Sequence, residues 1–414
     1  MVSKSNNKQK NIWILSQYTG SPYHGMNYRA YYLAKEFVKK GHTVTIFAGS
    51  YSHLFMKIPK IKGSFTKEEI DGINYIWVKT PKYKSSKSIM RVFSMLVFMW
   101  RLLFFKTNSI AKPDEIIISS LSLFPVINAY IWSKIFKIGF IFEIRDIWPL
   151  TLVEVGGFSK YHPLVVFLGF FEKFGYKKAK AVVSVLPKAY LHTEKRGMAK
   201  EKFNYIPNGV LLEEVSNFEP ISKEVEAQIP KDKFIVGYLG TLGIANALDT
   251  LLKSAKIVKD NKHIHFLLVG KGDEKALLEA YVLKNMLSNV TFIDAIAKIQ
   301  VQSILSYFDV CYISAKKKEI YKYGVSPNKL FDYMYASKPI LYAIESGENL
   351  VDKAHCGLSV KAEDKLLLSE KILEVSSILS KELDKMGANA KDYVIEHHSY
   401  ETLVQSYIQL MEKR

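Results

Sequence analysis

Apolar residues along the chain form short runs of strand length, separated by longer stretches of helical periodicity. Residues 11–16 make one such run, an amphipathic helix is predicted over 28–40, and a β-branched run follows at 42–48. A glycine after the helix, with two lysines in its last turn, marks the helix end. This order predicts a βαβ unit, and such units build parallel sheets.

The same alternation continues along most of the chain. Further strands are predicted at 73–78, 115–118, 138–143 and 181–185, and a second series at 234–238, 264–269, 290–293, 310–313 and 339–342. With helices between the runs, the pattern predicts an α/β chain of two Rossmann-like domains that face each other across a cleft. Ligands of such sheets bind beyond the carboxyl ends of the strands, so we expect the chemistry in loops that follow strands.

Length and composition set the domain boundaries. The chain has 414 residues, which suits two domains of about 200 residues each. We predict an N-terminal domain over 1–212, a linker rich in Glu, Ser and Lys over 213–232, and a C-terminal domain over 233–394. The last helix, within 395–414, is expected to complete the N-terminal domain.

The formal net charge of +18 favours an anionic partner or surface. Segment 88–106 is strongly apolar and aromatic, yet it contains Arg91 and Arg101, which argues against a membrane span. Lysines flank it at positions 82, 84, 87 and 106. Two compatible interpretations remain: residues 82–106 contact an anionic membrane surface, or the segment is a buried helix with basic ends. Because the positively charged residues are not clustered in a recognisable nucleic-acid-binding motif, we expect no nucleic-acid partner.

Other features bear on the cellular compartment. The first residues carry no apolar segment of signal-peptide length. Cys311 and Cys356 lie in apolar or small-residue surroundings and are expected to be inert core thiols, as a reducing cytoplasm permits. These features predict a cytoplasmic protein, peripheral on the inner face of the cell membrane.

The loop after the first strand carries candidate anion-binding residues. It contains His24, Gly25, Asn27 and Arg29. The glycine allows close approach of the backbone to a ligand, and the following helix start offers amide groups to an anion. The alternative is an ordinary polar entry into a helix.

The loop after the run at 138–143 brings acids and a base to a strand end. It holds Glu143, Arg145, Asp146 and Glu154. Charges at such a position are costly unless they are paired or used, so the choice is a functional site or a structural Arg–carboxylate pair. The position after a strand favours the functional interpretation.

Two glycine-containing loops follow the first strands of the second domain. The first contains Gly240, Thr241 and Gly243, and is predicted to cradle a phosphate with backbone amides. The second contains Gly270 and Lys271, and is a candidate floor for a nucleotide base, or a simple turn. Neither loop matches the dinucleotide fingerprint.

A third candidate phosphate-binding element lies at the start of another helix. Pro327 suits the first helical position with Ser326 as the N-cap, and Asn328 follows. Lys329 then lies in the first turn, where a cation opposes the helix dipole unless it neutralises a bound diphosphate. Asp332, one turn later, is predicted to hold ribose hydroxyls; the alternative is a surface ion pair with Lys329.

Metal chemistry has no recognisable motif. The sequence contains no DxD triplet and no group of His, Cys and Asp at metal-ligand spacing. Leaving-group charge would then be neutralised by Lys329, an arginine and helix amides. We therefore expect a metal-independent site.

Taken in order, these motifs resemble retaining glycosyltransferases of the GT-B fold, in the large family four, and within it the WbuB-like surface-polysaccharide group. The motifs are His24-Gly25-Met26-Asn27-Tyr28-Arg29, Ser52-His53-Leu54, Arg145-Asp146-Ile147-Trp148-Pro149-Leu150-Thr151, Ile206-Pro207-Asn208-Gly209-Val210, Gly240-Thr241-Leu242-Gly243, and Ser326-Pro327-Asn328-Lys329-Leu330-Phe331-Asp332-Tyr333-Met334 with Lys338-Pro339.

The resemblance implies a nucleoside-diphosphate sugar, usually UDP-linked, held by the C-terminal domain. It implies a polyprenyl-linked or oligosaccharide acceptor on the N-terminal domain, in capsule or O-antigen synthesis. On this basis we assign the following residues to the acceptor side: His24, Gly25, Asn27, Arg29 and Arg145. Catalytic roles are assigned to Asp146, Glu154 and Lys329. A hexosyl- or N-acetylhexosaminyl-type transferase of this kind retains the anomeric configuration, with the leaving phosphate assisting deprotonation of the acceptor. The nucleotide-sugar is a substrate, so no cofactor is expected.

The chain departs from the family pattern at two places. Many members carry two glutamates eight residues apart, where this chain has Gly324 and Asp332. Many carry Arg and Lys in the loop after the first C-domain strand, where this chain has Thr241 and Asn246. Lys329 is therefore expected to take more of the diphosphate charge. Two alternatives stay open: a degenerate non-catalytic partner subunit of a glycosyltransferase complex, and a UDP-sugar epimerase on the same scaffold.

Overall fold

A computed structural model of the chain describes residues 9–25, 27–85 and 88–413. The chain divides into two compact units, Met1–Pro207 with Leu403–Arg414, and Asn208–Thr402. Within these residues each unit is built on one sheet, of eight strands in the first and six in the second. The predicted α/β class with two parallel-sheet domains is confirmed.

The first sheet has the strand order β3-β4-β2-β1-β5-β6-β7-β8, and every neighbouring pair is parallel except β3 with β4. Its strands are β1 (Asn11–Leu15), β2 (Thr43–Gly49), β3 (Phe65–Ile70), β4 (Ile73–Val78), β5 (Glu115–Ser119), β6 (Phe140–Ile144), β7 (Ala181–Ser184) and β8 (Phe203–Tyr205). The hydrophobic pattern does not predict β3, because this edge strand exposes three charged residues. The local sequence signal for the β3–β4 hairpin is instead its turn, the Asp71–Gly72 pair, whose φ angles are 51° and 74°.

Helices α1 to α6 belong to the first unit. They are α1 (Arg29–Lys39), α2 (Ile89–Leu103), α3 (Val126–Phe136), α4 (Leu150–Glu154), α5 (Pro163–Lys178) and α6 (Tyr190–Thr193). Helix α3 packs on β5 and β6 and touches both α2 and α5, so these three helices form one layer against the sheet. No helix of the described residues is long and apolar enough to cross a bilayer.

The second sheet is parallel throughout, in the order β11-β10-β9-β12-β13-β14. Its strands are β9 (Phe234–Leu239), β10 (Ile264–Val269), β11 (Val290–Ile293), β12 (Val310–Ser314), β13 (Ile340–Ala343) and β14 (Gly357–Ser359). The helices of this unit are α7 (Leu212–Ser216), α8 (Lys223–Glu226), α9 (Leu248–Ile257), α10 (Lys275–Lys284), α11 (Val301–Ser306), α12 (Asn328–Tyr335), α13 (Leu350–Lys353), α14 (Lys365–Ser377) and α15 (Ser380–His398). The last helix of the chain is α16 (Tyr400–Glu412).

Both faces of the second sheet are covered. Neighbouring residues of each strand belong to different hydrophobic clusters on opposite faces of the sheet. In β9, Ile235 packs on one face and Val236 on the other; in β10, Leu267 and Leu268 do the same. Burial on both faces explains why these strands appear in the sequence as continuous apolar runs. The two cysteines lie in this unit and are buried, which raises the pKa of both thiols.

The domain boundary differs from the predicted one. The chain divides between Pro207 and Asn208, and the segment predicted as a linker folds into the second unit as α7 and α8. Val215, Ile221 and Ile229, which lie between its charged residues, join a core cluster there. At the other end of the chain most of α16 belongs to the first unit.

Candidate functional site

The second sheet has its topological switch point between β9 and β12, where the strand order reverses. Ligands of parallel sheets bind at such a point, beyond the carboxyl ends of the strands. The Gly240–Gly243 loop leaves β9 at this edge. This loop contains Gly240, Thr241 and Gly243, three of the residues predicted to bind the donor.

The two predicted glycine loops pack directly against each other. The amide of Gly240 donates to the Val269 carbonyl at 3.0 Å, and that of Leu242 to the Lys271 carbonyl at 2.9 Å. A Cβ on Gly270, whose φ is +152°, would lie 1.9 Å from the Gly240 oxygen. Gly270 is therefore needed for this close approach, whereas the side chain of Lys271 is exposed.

The amide cradle is narrower than predicted. Helix α9 does not follow the glycines directly, because a 3-10 turn at Ile244–Asn246 and a left-handed Ala247 come first. Within the described residues, the amides of Thr241 and Gly243 donate no hydrogen bond, whereas their neighbours are engaged as above. These two amides are the part of the loop that is left for an anion.

Lys329 lies across this loop. It is in the first turn of α12, and its Nζ donates to the Tyr238 hydroxyl at 2.6 Å and to Asn246 Oδ1 at 2.9 Å. The amine also stands over the Tyr238 ring, 4.3 Å from its centroid, and a Cβ on Gly240 would lie 3.1 Å from it. Burial lowers the pKa of Lys329 to about 7.

A buried tyrosine fixes α12 to the end of β9. The Tyr333 hydroxyl accepts from the Leu239 amide at 2.8 Å and donates to the Leu239 carbonyl at 2.9 Å. Both backbone groups precede Gly240 by one residue. The start of α12, with Lys329, is thereby held in register with the glycine loop.

Asp332 is not the partner of Lys329. Its two carboxylate oxygens accept from Lys298 Nζ at 2.8 and 3.0 Å. The alternative of a surface ion pair between Lys329 and Asp332 is therefore wrong, although a ribose contact by Asp332 stays a prediction. Sequence reasoning missed Lys298, which lies in a 3-10 turn after β11 and carries no local signal.

The start of α12 also differs from the predicted cap. Asn328 is the first helical residue and is exposed, Pro327 takes the N-cap position, and no side chain caps the helix. Ser326 is used elsewhere: its Oγ accepts from the Asn208 amide at 3.0 Å, and its carbonyl accepts from Asn208 Nδ2 at 2.7 Å. Asn208, quoted above only as part of a motif, is thus an anchor of this loop.

The position that lacks the family's first carboxylate has an unusual backbone. Gly324 has a φ of +106°, and its amide donates to the Tyr321 carbonyl at 2.8 Å. An L-residue is strained at this φ. The departure from the family pattern is therefore built into the local fold.

In the first unit, Arg29 is an interior residue. It is 2% exposed, and its Nε pairs with Glu143 Oε2 at 2.9 Å. Its other nitrogens donate to the carbonyls of Pro207 at 2.5 Å and Ile206 at 2.9 Å. Glu143 also accepts from the Tyr407 hydroxyl of α16 at 2.5 Å. Arg29 thus ties three parts of the unit together, and its guanidinium is turned away from solvent.

Asn27 and Arg145, two predicted acceptor-side residues, are in contact. Arg145 Nη1 donates to Asn27 Oδ1, and the Arg145 amide donates to Ser120 Oγ at 3.0 Å. Burial would raise the pKa of Glu143, but Arg29 and Arg145 outweigh it and lower the pKa. Asn27 and Arg145 are both part-exposed and remain candidate ligands. Met26, between the other residues of the motif, lies outside the described residues.

His24 and Gly25 hold their loop in place. His24 is 4% exposed, its Nδ1 is 2.9 Å from Ser21 Oγ, and its ring packs edge-on against Trp77. Burial lowers the pKa of this imidazole. Gly25 forms an isolated bridge with Phe55. These contacts favour a structural role, the alternative left open for this loop.

Asp146 caps the turn after β6. Its Oδ1 accepts from the Ile147 amide at 3.0 Å and from Thr151 Oγ1 at 2.7 Å. Burial raises the pKa of Asp146 against these hydrogen bonds, and such a shift is one mark of a proton-transferring carboxylate. Glu154 is the last residue of α4 and is half-buried. The catalytic roles of both stay predictions.

A basic aromatic cluster, which sequence reasoning missed, lies at the same edge of the first sheet. The Arg91 guanidinium stands 5.1 Å from the ring centroid of Tyr18 and 5.7 Å from that of Trp148. Its Nε donates to the Tyr18 hydroxyl at 3.4 Å. The cluster connects the first turn of α2 with the loops after β1 and β6.

In residues 9–25, 27–85 and 88–413, no three His, Cys, Asp or Glu side chains are placed to hold a metal ion.

The chain matches two protein-family models, one in each unit. "Glycosyltransferase Family 4" matches residues 23–214, and "Glycosyl transferases group 1" matches residues 233–377. No curated protein sequence matches the chain at a significant level.

Solved structures match nearly the whole chain. Sucrose-phosphate synthase from Thermosynechococcus elongatus is 17% identical with a TM-score of 0.74, over 97% of this chain and 98% of that one. HepE from Anabaena in complex with UDP and glucose is 12% identical, with a TM-score of 0.67, over 98% and 100%. WaaG, a glycosyltransferase involved in lipopolysaccharide biosynthesis, is 14% identical, with a TM-score of 0.66, over 98% and 100%. At these identities the likeness shows the fold alone. The two glycosyltransferase family models, one for each half of the chain, together with this fold along its length support a glycosyltransferase of the GT-B type that is similar to family four.

Proposed function

We propose that the protein transfers a hexosyl or N-acetylhexosaminyl residue from a UDP-sugar, with retention of configuration, to a polyprenyl-linked or oligosaccharide acceptor. The observation that carries the proposal is Lys329, a cation held by uncharged side chains at the switch point of the second sheet. A cation in the first turn of a helix opposes the helix dipole, and a bound diphosphate relieves that conflict.

Charge stabilisation on the leaving diphosphate is the main chemical task of this site. The Lys329 ammonium and the amides of Thr241 and Gly243 are the groups assigned to it. Asp332 keeps lone pairs for ribose hydroxyls in addition to those that Lys298 uses. The structural similarity to a UDP-bound enzyme supports UDP as the nucleotide. We assign no metal and no cofactor to the reaction.

Retention requires that the acceptor attack from the face that the diphosphate leaves. In the proposed step the acceptor oxygen bonds to the anomeric carbon, the bond to the diphosphate oxygen breaks, and that oxygen takes the acceptor proton. No second carboxylate is needed, unlike in a retaining glycosidase. Asp146 is assigned to orient the acceptor, and Asn27 and Arg145 to bind it.

The donor proposal is tested by thermal stabilisation with UDP, GDP, ADP and NAD without metal. A shift with UDP is expected, because a ligand that binds only the folded state stabilises it. If no nucleotide shifts the transition at millimolar concentration, the chain is a degenerate partner subunit instead. Conversion of the UDP-sugar in the absence of any acceptor would identify a UDP-sugar epimerase.

An anionic membrane on the cytoplasmic side is the proposed location of the acceptor. Helix α2 buries Met95 and Phe98 against the unit but exposes a stripe on its opposite side. Within that stripe Ile89 is 84% exposed, Trp100 59% and Phe104 65%. Apolar and aromatic residues at this helical spacing, with lysines at the helix ends, are typical of interfacial helices. Of those lysines, Lys87 lies outside the described residues.

Helix α5, in the same layer as α2, exposes further apolar residues. Val166, Phe167 and Phe170 project from one side of α5 and are 60%, 47% and 62% exposed. Lys173 and Lys177 follow on the same side and are exposed. Large apolar patches with a basic rim favour a lipid surface. Together with the lipopolysaccharide role of one structural neighbour, this supports an acceptor in surface-polysaccharide synthesis, such as capsule or O-antigen.

Co-sedimentation with vesicles tests the membrane proposal. Wild-type protein is expected to bind vesicles that contain phosphatidylglycerol, and the double change Trp100→Ser and Phe104→Ser to weaken binding. The matched control changes Leu283 and Met286 to Ser, since these residues of the second unit are 81% and 86% exposed. Equal loss in both variants, or concentration-dependent self-association through the α2 face, would contradict a lipid contact.

A further inference from the structure

Two uncharged side chains hold Lys329 in a fixed direction. The Tyr238 hydroxyl donates to the Thr241 carbonyl at 2.7 Å, and Asn246 Nδ2 donates to the same carbonyl at 2.9 Å. Because the donors of both side chains are committed to Thr241, their acceptor atoms face the amine. Lys329 therefore bonds to two oxygens whose orientation is set by one backbone carbonyl.

The backbone around Asn246 is anchored from β12. Ser314 Oγ donates to the Asn246 carbonyl, and the Lys316 amide donates to the Ala245 carbonyl at 3.0 Å. Tyr238 itself is fully buried in the sheet. Neither acceptor can follow Lys329 if the lysine moves, so the pair defines where the amine can be.

The clamp leaves one donor for a ligand. An ammonium group has three N–H donors, of which Tyr238 and Asn246 receive two. In the described part of the chain Lys329 has no carboxylate partner, so its positive charge is not compensated by an ion pair. The amine lies 3.1 Å from the position that a Cβ on Gly240 would take, and Gly240 directly precedes Thr241 in the glycine loop.

We propose that Tyr238 and Asn246 are positioning residues of the diphosphate site, which hold the Lys329 ammonium across Gly240 for the third N–H to bind a diphosphate oxygen. This inference rests on the proposed function and goes beyond it, because it assigns two residues that contact no substrate. The Tyr238 hydroxyl and Asn246 Oδ1 also stabilise the charged form of the amine, whereas burial destabilises it.

The other titratable groups around the Lys329 amine do not account for a titration near neutral pH. On α12, Asp332 pairs with Lys298, and burial raises the pKa of the Tyr333 hydroxyl well above its usual range. Burial likewise raises the pKa of Tyr238. Asp249, in the helix after Asn246, pairs with Lys253 and Lys316. A fall in kcat/KM on the basic side of its pH profile, near neutral pH, is therefore assigned to deprotonation of Lys329.

The test is Tyr238→Phe, which removes one hydroxyl and keeps the buried ring. UDP affinity is expected to fall about ten-fold, because a hydrogen bond to a charged group is lost. The KM for the acceptor should not change. The basic limb of kcat/KM for the donor should move to lower pH, since the ammonium loses an acceptor. A purely structural role would lower activity without moving the limb.

Tyr342→Phe is the matched control, because Tyr342 is equally buried in β13 and its hydroxyl bonds to Ser346 instead. This variant should bind UDP as the wild type does. The positioning role is overturned if Tyr238→Phe keeps its UDP affinity within two-fold and its basic limb in place. In that case wild-type binding still supports the proposed function, whereas a wild type that binds no UDP overturns both.

Discussion

Arg29 and Lys329 are two cations in equivalent positions, each in the first turn of a helix near the carboxyl edge of a parallel sheet. Arg29 is paired with a buried carboxylate and two backbone carbonyls. Lys329 is held by a hydroxyl and an amide oxygen, with its pKa lowered by burial to about 7. The first charge is satisfied inside the protein, and the second lacks a counter-charge among the described residues.

Under the proposed function, this difference separates a structural cation from one that is available to a ligand. Position at a strand end is common to both and does not distinguish them. What distinguishes them is the partner: a carboxylate neutralises Arg29, whereas neutral acceptors leave the charge of Lys329 for an anion. Each of the first three predictions below tests one side of this comparison, and the fourth tests a neighbouring position of the loop that precedes α12.

Arg29→Met should destabilise the first unit by about 3–5 kcal/mol, because it leaves the Glu143 carboxylate buried without its partner. Chemical denaturation followed by tryptophan fluorescence measures the loss. The double change Arg29→Met with Glu143→Gln should recover part of it. A single variant that loses less than about 1 kcal/mol would mean that the pair does not hold the unit together.

Lys329→Ala should lower kcat about 10²–10³-fold, the usual cost of removing one group that stabilises leaving-group charge. The melting temperature should change little, since a buried amine stabilises the fold poorly. Lys256→Ala, at an exposed position of α9, is the control and should keep the wild-type rate. Near-normal turnover of the Lys329 variant would remove the diphosphate assignment.

UDP binding should weaken as pH rises through about 7, the pKa of Lys329 in the free protein. The diphosphate binds the ammonium form, which is complete below this pKa and is lost above it, so binding takes up a proton. Affinity is expected to fall about five-fold between pH 7 and pH 8. Titration calorimetry measures both the affinity and the proton uptake. Lys329→Arg, which keeps its charge at these pH values, should flatten the profile whatever its affinity; a wild-type profile that is already flat would contradict the proposed protonation.

Gly324→Glu restores the carboxylate that many family members carry, yet it should bring no gain in donor turnover. The φ of +106° strains any L-residue, so a loss of about 1–2 kcal/mol in the free energy of unfolding is expected. Gly324→Ala should show the same loss and separates backbone strain from charge. A rise in turnover with glutamate alone would show that the loop adapts to the family pattern.

Much of the fold could be predicted from the hydrophobic pattern. The predicted strands of the second unit agree closely with β9 to β13, because burial on both sheet faces makes each strand a continuous apolar run. The polar edge strand β3 was missed for the opposite reason. Segment 213–232 gives no periodicity, because its three buried apolar residues are separated within a charged stretch.

The candidate site was only half accessible to sequence reasoning. The sequence predicts Lys329, because a lysine in the first turn of a helix opposes the dipole, and this conflict is visible in the sequence. Tyr238 and Lys298 were missed because each is far from its partner along the chain: 91 residues separate Tyr238 from Lys329, and 34 separate Lys298 from Asp332. Only packing brings such pairs together.

By itself the sequence determined the class of fold, its two sheets and the loops that follow their strands, because these depend on local periodicity and turn chemistry. Tertiary structure decided the fate of each charged residue in those loops. It paired Arg29 with Glu143 and Asp332 with Lys298, and it gave Lys329 only neutral acceptors among the described residues. The physical reason is that the state of a charge depends on its neighbours in space, and the sequence lists only its neighbours along the chain.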